Sequence, residues 1–202
     1  MFRNGSEIIT PVPVVLKPHD VALLLKVIAI ENRSDSQESD HAYAPIPLRR
    51  IAEAARISLS EVHGFRTRAL SIGLLRSQGE RRVNRTGLME LLTHGVRWVF
   101  PASHGGLVRG IPTAHAAPPL SNHLVRGSDP PPVWEHPEGN ERGIALSPLY
   151  PKVPEAALLD PEYYELLALT DALRSSDTRT RERNLAQTLL QERLERKNMD
   201  AF

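Results

Sequence analysis

The chain has 202 residues, 41% hydrophobic and 24% charged, with a formal net charge of +1, the composition of a soluble globular protein with room for one large domain or two small ones. It contains no cysteine, which excludes disulfides, thiolate zinc sites and a cysteine nucleophile, and no apolar run approaches the roughly 20 residues that a membrane span needs. The opening residues Met1 to Ser6 lack the apolar core of a signal peptide, so a cytoplasmic protein with no membrane partner is expected.

In chain order, Ile8 to Leu16 is apolar and broken by Pro11 and Pro13, which favours an extended segment. Pro18 to Asn32 reads as a first helix: Val21, Leu24, Leu25 and Ile28 make one apolar stripe, and Asp20 lies in the first turn, where the helix dipole favours an acid. Arg33 to Ala44 is polar and reads as a loop, with His41 solvated.

The segment from Ile46 to Leu92 is the most informative. Leu48, Ile51, Ala52 and Ala55 recur at helical spacing behind Pro47. After a short break, Ser58 and Glu61 form a capping box. Val62, Phe65, Ala69 and Ile72 then share an apolar face, while Ser60, Gly64, Thr67 and Ser71 occupy the opposite one, flanked by His63 and Arg68. Arg66 falls near the apolar stripe. Gly73-Leu74-Leu75-Arg76, a turn at Gly79 and Arg81-Arg82-Val83 suggest a two-stranded wing. Small polar groups with a few long donors suit a helix entering a major groove. From Arg49 to Arg85 there are nine arginines against three acids, a local net of +6, the excess that phosphate neutralisation requires. All nine are arginine and none is lysine, which favours forked contacts to phosphate or guanine.

Helix, turn, helix and basic wing, followed by Val83-Asn84-Arg85-Thr86-Gly87-Leu88, resemble bacterial winged helix-turn-helix regulators of the MarR type over roughly residues 16 to 100. Those proteins commonly run from wing to helix through a Leu-Thr-x-x-Gly-like sequence, for which Val83-Asn84 stands here. The resemblance implies a transcriptional repressor that binds double-stranded DNA as a homodimer. The recognition helix would be residues 58–72 and the wing 74–85. Ser60, His63, Thr67 and Arg68 would face bases; Arg76, Arg81, Arg82 and Arg85 would hold the backbone; Arg49 and Arg50 would touch phosphate. In layout, with an unrelated C-terminal half, the chain is also similar to antitoxins that repress their own operon and bind a nucleotidyltransferase-like toxin, so a cognate toxin is a further possible partner.

Arg85 to Phe100 reads as a helix burying Leu88, Leu91 and Leu92, with the aromatics Trp98 and Phe100 expected in a core. Pro101 to Pro154 is punctuated by Gly105-Gly106, Gly110-Ile111-Pro112, Pro118-Pro119 and Pro130-Pro131-Pro132; regular structure should be scarce there. Its Gly105-Gly106-Leu107-Val108-Arg109-Gly110 run lacks the Gly-Lys-Ser/Thr ending of a phosphate loop. Asp160-Pro161 starts a helix with an acidic cap and a first-position proline, Tyr163, Leu166, Leu167 and Thr170 line one face of it, and a second helix follows Ser175-Ser176-Asp177, giving an antiparallel pair. Residues 129–202 carry fourteen acids and nine bases, a balance suited to dimerisation or a protein partner. The expected fold is therefore mainly α: a winged helix-turn-helix over 1–100 with a small β-wing, an irregular Pro/Gly-rich segment over 101–154, and a C-terminal helical hairpin over 155–202.

The eight histidines form no metal pair, and no nucleophile elbow or nucleotide fingerprint is present. No catalytic residue, metal or cofactor is expected. The alternative to a DNA-binding regulator is a protein–protein adaptor with a winged-helix fold, against which the +6 patch argues. RNA in place of DNA is not distinguishable from the sequence.

Overall fold

A computed structural model describes residues 14–35, 46–77, 82–125 and 127–195. The apolar stretch at Ile8 to Val12, His41 and Arg81 lie outside the described residues. The protein is mainly helical with one small three-stranded sheet, and no described helix is long and apolar enough to cross a membrane.

Helix α1 (Pro18–Asp35) is the beam of the structure. The expected single stripe is too narrow: every residue from Asp20 to Asn32 is buried. A helix buried all round is usually apolar all round, yet this one carries Asp20, Lys26, Glu31 and Asn32 at 7% exposure or less. Buried charges are costly unless paired, and each of these reaches a different partner: Asp20 binds Arg68, Lys26 binds Asp160 at 2.8 Å, Glu31 binds Arg85 at 3.0 Å, and Asn32 donates to Glu162 at 2.6 Å. The apolar residues between them supply the burial; the polar ones fix where each neighbour docks.

Helices α2 (Leu48–Ala55) and α3 (Leu59–Ser71) follow. After a hairpin, α4 (Arg85–Glu90) runs through a π-helical turn (Leu91–Gly95) into α5 (Val96–Val99). Leu88, Leu92 and Val96 stay in the core, as the sequence suggests. Trp98 does not: it is 72% exposed, with the Arg97 guanidinium stacked 4.5 Å from its ring centroid. The π turn holds one residue more than an α-turn, which rotates everything after it on the helix.

The expectation of scarce regular structure over 101–154 is overturned. Strands β1 (His104–Pro112), β2 (Pro132–Glu135) and β3 (Glu141–Leu146) form a sheet that closes on itself, β1 pairing antiparallel with both others and β2 pairing parallel with β3. Its glycines are not breakers. A Cβ on Gly110 would collide with the Trp134 carbonyl, and one on Gly143 with the Pro131 carbonyl; glycine in a strand marks such close backbone approach. Trp134 is fully buried, and its Nε1 donates to Asp171 at 2.6 Å.

Asp171 belongs to α7 (Pro161–Arg174), which α6 (Val153–Leu158) precedes and α8 (Thr180–Glu195) follows as the second arm of a helical hairpin. Asp160 caps α7 as the sequence predicts, accepting from the Tyr163 amide at 3.2 Å. Burial opposes its charge, but hydrogen bonds from Arg33 and Lys26 hold its carboxyl below the usual carboxylate range. At the other end of the same helix Asp171 accepts from Thr113, Trp134 and Arg174, and there burial prevails and raises its pKa. The C-terminal hairpin is no detached unit: α7 takes the Lys26, Arg33 and Asn32 contacts of α1, and one hydrophobic cluster runs from Val21 to Leu194.

Candidate nucleic-acid interface

Helix α2 buries Ile51, Ala52 and Ala55 and leaves Arg49, Arg50 and Glu53 in solvent. It stops at Arg56, which takes the left-handed conformation (φ 54) that usually falls to glycine; the Ile57 amide then reaches back to the Ala52 carbonyl at 3.0 Å. Ser58 caps α3 by accepting from the Glu61 amide at 3.2 Å. The other half of the expected capping box is not made. Glu61 instead bridges Lys17 at 3.4 Å and His19 at 2.9 Å, and the Lys17 ammonium lowers its pKa.

Three residues thus separate α2 from α3, and α3 buries Val62, Phe65 and Ala69 while exposing Ser60, His63, Arg66, Thr67 and Ser71. The outer face is small and polar, as the sequence suggests. Thr67 donates its hydroxyl to the His63 carbonyl at 3.2 Å, and Ser71 donates to that of Arg68 at 2.8 Å, so both retain acceptor lone pairs toward solvent.

Arg68 corrects the sequence reading. Its guanidinium lies over Gly64, where a Cβ would come within 2.8 Å of Nη1, and continues inward to Asp20 in a two-point clamp of 2.7 and 2.6 Å. Asp20 is fully buried and also accepts from the Lys17 amide at 2.8 Å. Arg68 therefore fastens α3 to α1 and does not face bases.

The hairpin after α3 is minimal. Leu75 pairs with Val83 in an isolated antiparallel bridge, and Arg76 N–H donates to the Arg82 carbonyl at 2.7 Å. Arg76 is exposed. The Arg82 guanidinium folds back on the hairpin, donating to the Ser77 and Arg76 carbonyls. Arg85 is also corrected: it sits 9% exposed between Glu31 and the Leu194 carbonyl, donating to the latter at 2.7 Å, and cannot reach a phosphate from there. Glu31 accepts from the Arg82 amide as well, at 2.7 Å, so one buried acid fixes both the base of the hairpin and the start of α4. Asn84 completes the joint, accepting from the Gly87 amide and donating to the Gly73 carbonyl, both at 3.1 Å.

Of the residues expected at the interface, Arg49, Arg50, Ser60, His63, Thr67 and Arg76 stand in solvent; Arg68 and Arg85 are committed inward, Arg82 is folded on the hairpin, and Arg81 lies outside the described residues. Arg56 and Arg66, not expected there, are exposed. Helical spacing alone signals Arg66: it lies about 100° from Phe65, on the flank and not in the stripe. Compared with protein-family models, curated proteins and solved structures, the chain has no match.

Proposed function

We propose that the protein is a sequence-specific DNA-binding transcriptional regulator, a winged helix-turn-helix repressor of the MarR kind that acts as a homodimer. The observation that carries this reading is the division among the arginines. Arg68 and Arg85 are drawn inward to buried acids of α1, which fixes α3 and the hairpin as a rigid unit, while Arg49, Arg50, Arg56, Arg66 and Arg76 remain around a small, polar α3 surface. A helix held rigidly from behind, with small side chains in front and guanidiniums at its margins, can approach base edges while the margins bind phosphate. His63 and Thr67 are assigned to the bases, with Ser60 beside them. Arg49, Arg50, Arg66 and Arg76 are assigned to the backbone.

Selection of bound duplexes from a random pool, followed by quantitative mobility shift, tests this. A single preferred palindromic motif is expected, and His63→Ala with Thr67→Ala should lower the ratio of specific to non-specific affinity by about 1–3 kcal/mol for each base that is no longer read. Binding of selected and random duplexes with equal affinity overturns it.

A second reading, a regulator whose C-terminal half takes a protein partner such as a toxin, has one observation in its favour. Trp98 and Val99 are 72% and 56% exposed beside Arg97, and tryptophan with arginine is the pairing enriched at interface hot spots. Co-purification with the product of a neighbouring gene, abolished in Trp98→Ala, is the corresponding test.

A further inference from the structure

Strands β1 and β3 carry the same tripeptide, Arg109-Gly110-Ile111 and Arg142-Gly143-Ile144. Their antiparallel register sets Arg109 directly opposite Arg142. Side chains so placed share one face of the sheet with Cβ atoms about 5 Å apart, and both arginines are exposed. Leu107 and Ile144, the next pair on that face, bring no acid to it. Among the described residues neither guanidinium has an ion-pair or hydrogen-bond partner. Like charges directly opposite across strands destabilise a sheet. Elsewhere in this protein Arg68, Arg85 and Arg174 each face a buried acid; here the charge is left open at a cost to the fold.

The platform beneath the pair is stiff. Gly110 and Gly143, each next to its arginine, are pressed against the carbonyls of Trp134 and Pro131 in β2, and Trp134 is fastened to Asp171. The antiparallel pairing presents the two guanidiniums as near equivalents about a local two-fold axis. A ligand with two equivalent anionic oxygens fits that arrangement, one oxygen to each planar fork, and phosphate is the group such forks receive best. The Gly105 to Gly110 run lies along the strand, so backbone amides form no phosphate cradle there; the charge comes from the arginines. An exposed pair on an open sheet face favours a phosphate held also by its neighbours along a polymer.

We propose that Arg109 and Arg142 bind a phosphodiester of nucleic acid, as a backbone contact separate from α3. The proposal rests on the nucleic-acid reading of the protein, but not on α3 being the element that reads sequence.

The test is a fluorescence-anisotropy titration of the full chain against a selected and a random 20-base-pair duplex over a series of salt concentrations. In Arg109→Gln/Arg142→Gln, the slope of log affinity against log salt should fall by about 1.8, from roughly 0.9 per phosphate contact, equally for both duplexes. His63→Ala/Thr67→Ala should instead lose discrimination and keep its slope. If the sheet variant flattens the slope while the α3 variant discriminates as before, the sheet contact stands and the α3 assignment falls. A wild-type slope in the sheet variant overturns the proposal, as does the absence of any duplex binding by the wild type. Competition by a polyglutamate peptide as effective as duplex at equal charge overturns it in favour of an acidic protein partner. The sheet variant should melt at or above the wild-type temperature in low salt, since it relieves a repulsion; a clear drop would mark the pair as structural and overturn it too.

Discussion

The helix–turn–helix and the three-stranded sheet both turn arginines toward solvent, but different physics holds them in place. Around α3 the holding interactions are electrostatic: buried acids at Asp20 and Glu31 draw Arg68 and Arg85 inward and leave the others out. In the sheet they are steric: two glycines let the backbones touch, and the arginines beside them have nowhere to go but outward. The first region should tolerate the removal of one ion pair by rearranging long side chains. The second has no flexible part to yield. The contrast is between adjustable and unadjustable support.

The sharpest way to break the comparison is at Asp171, which joins the sheet to α7. Asp171→Ala strands Thr113, Trp134 and Arg174 without their acceptor, and should cost about 3–5 kcal/mol in urea unfolding. Gly143→Ala drives a methyl into the Pro131 carbonyl, which cannot step aside, for about 3 kcal/mol. Asp20→Ala, the corresponding cut behind α3, should cost less, about 2 kcal/mol, because Arg68 is 18% exposed and can turn to water. If Asp20→Ala proves more damaging than Gly143→Ala, adjustable support is the wrong description of α3.

Titration sharpens the same contrast along α7. Asp160 has its pKa lowered, so its contribution to stability is full above the unfolded value of about 4 and is lost as pH falls through the folded value. Asp171 has its pKa raised, so its contribution has the opposite sign: present below about 4 and lost as pH rises through the folded value. Urea melts from pH 3 to pH 7 should show that Asp160→Asn removes part of the rise in stability with pH, while Asp171→Asn removes part of a fall. Ser58→Ala, a local cap on an exposed helix end, is the smallest change, about 1 kcal/mol.

What the sequence made legible was local. The stripes Ile51, Ala52, Ala55 and Val62, Phe65, Ala69, the Ser58 cap and the Asp160-Pro161 helix start all depend on residues within one or two turns of each other, and all stand as read. The errors came from distance. Arg68 and Arg85 meet acids 48 and 54 residues away, so composition near α3 overstated the charge available to a ligand. The strands of the sheet were hidden because Gly110 and Gly143 read as punctuation, when each is required by a backbone that pairs more than twenty residues along the chain. Glu61 read as half of a capping box because nothing nearby in the sequence announces Lys17 and His19.

The π turn at Leu91–Gly95 sets which way the end of its helix looks. Removing one residue there, for instance Thr93, would restore ordinary winding and turn every later side chain by about 100°. Val99 would come round beneath Leu88 and Leu92, and Trp98 would leave its present outlook for another. One amino acid of chain length therefore decides whether the aromatic ring at this corner greets a visitor or the interior.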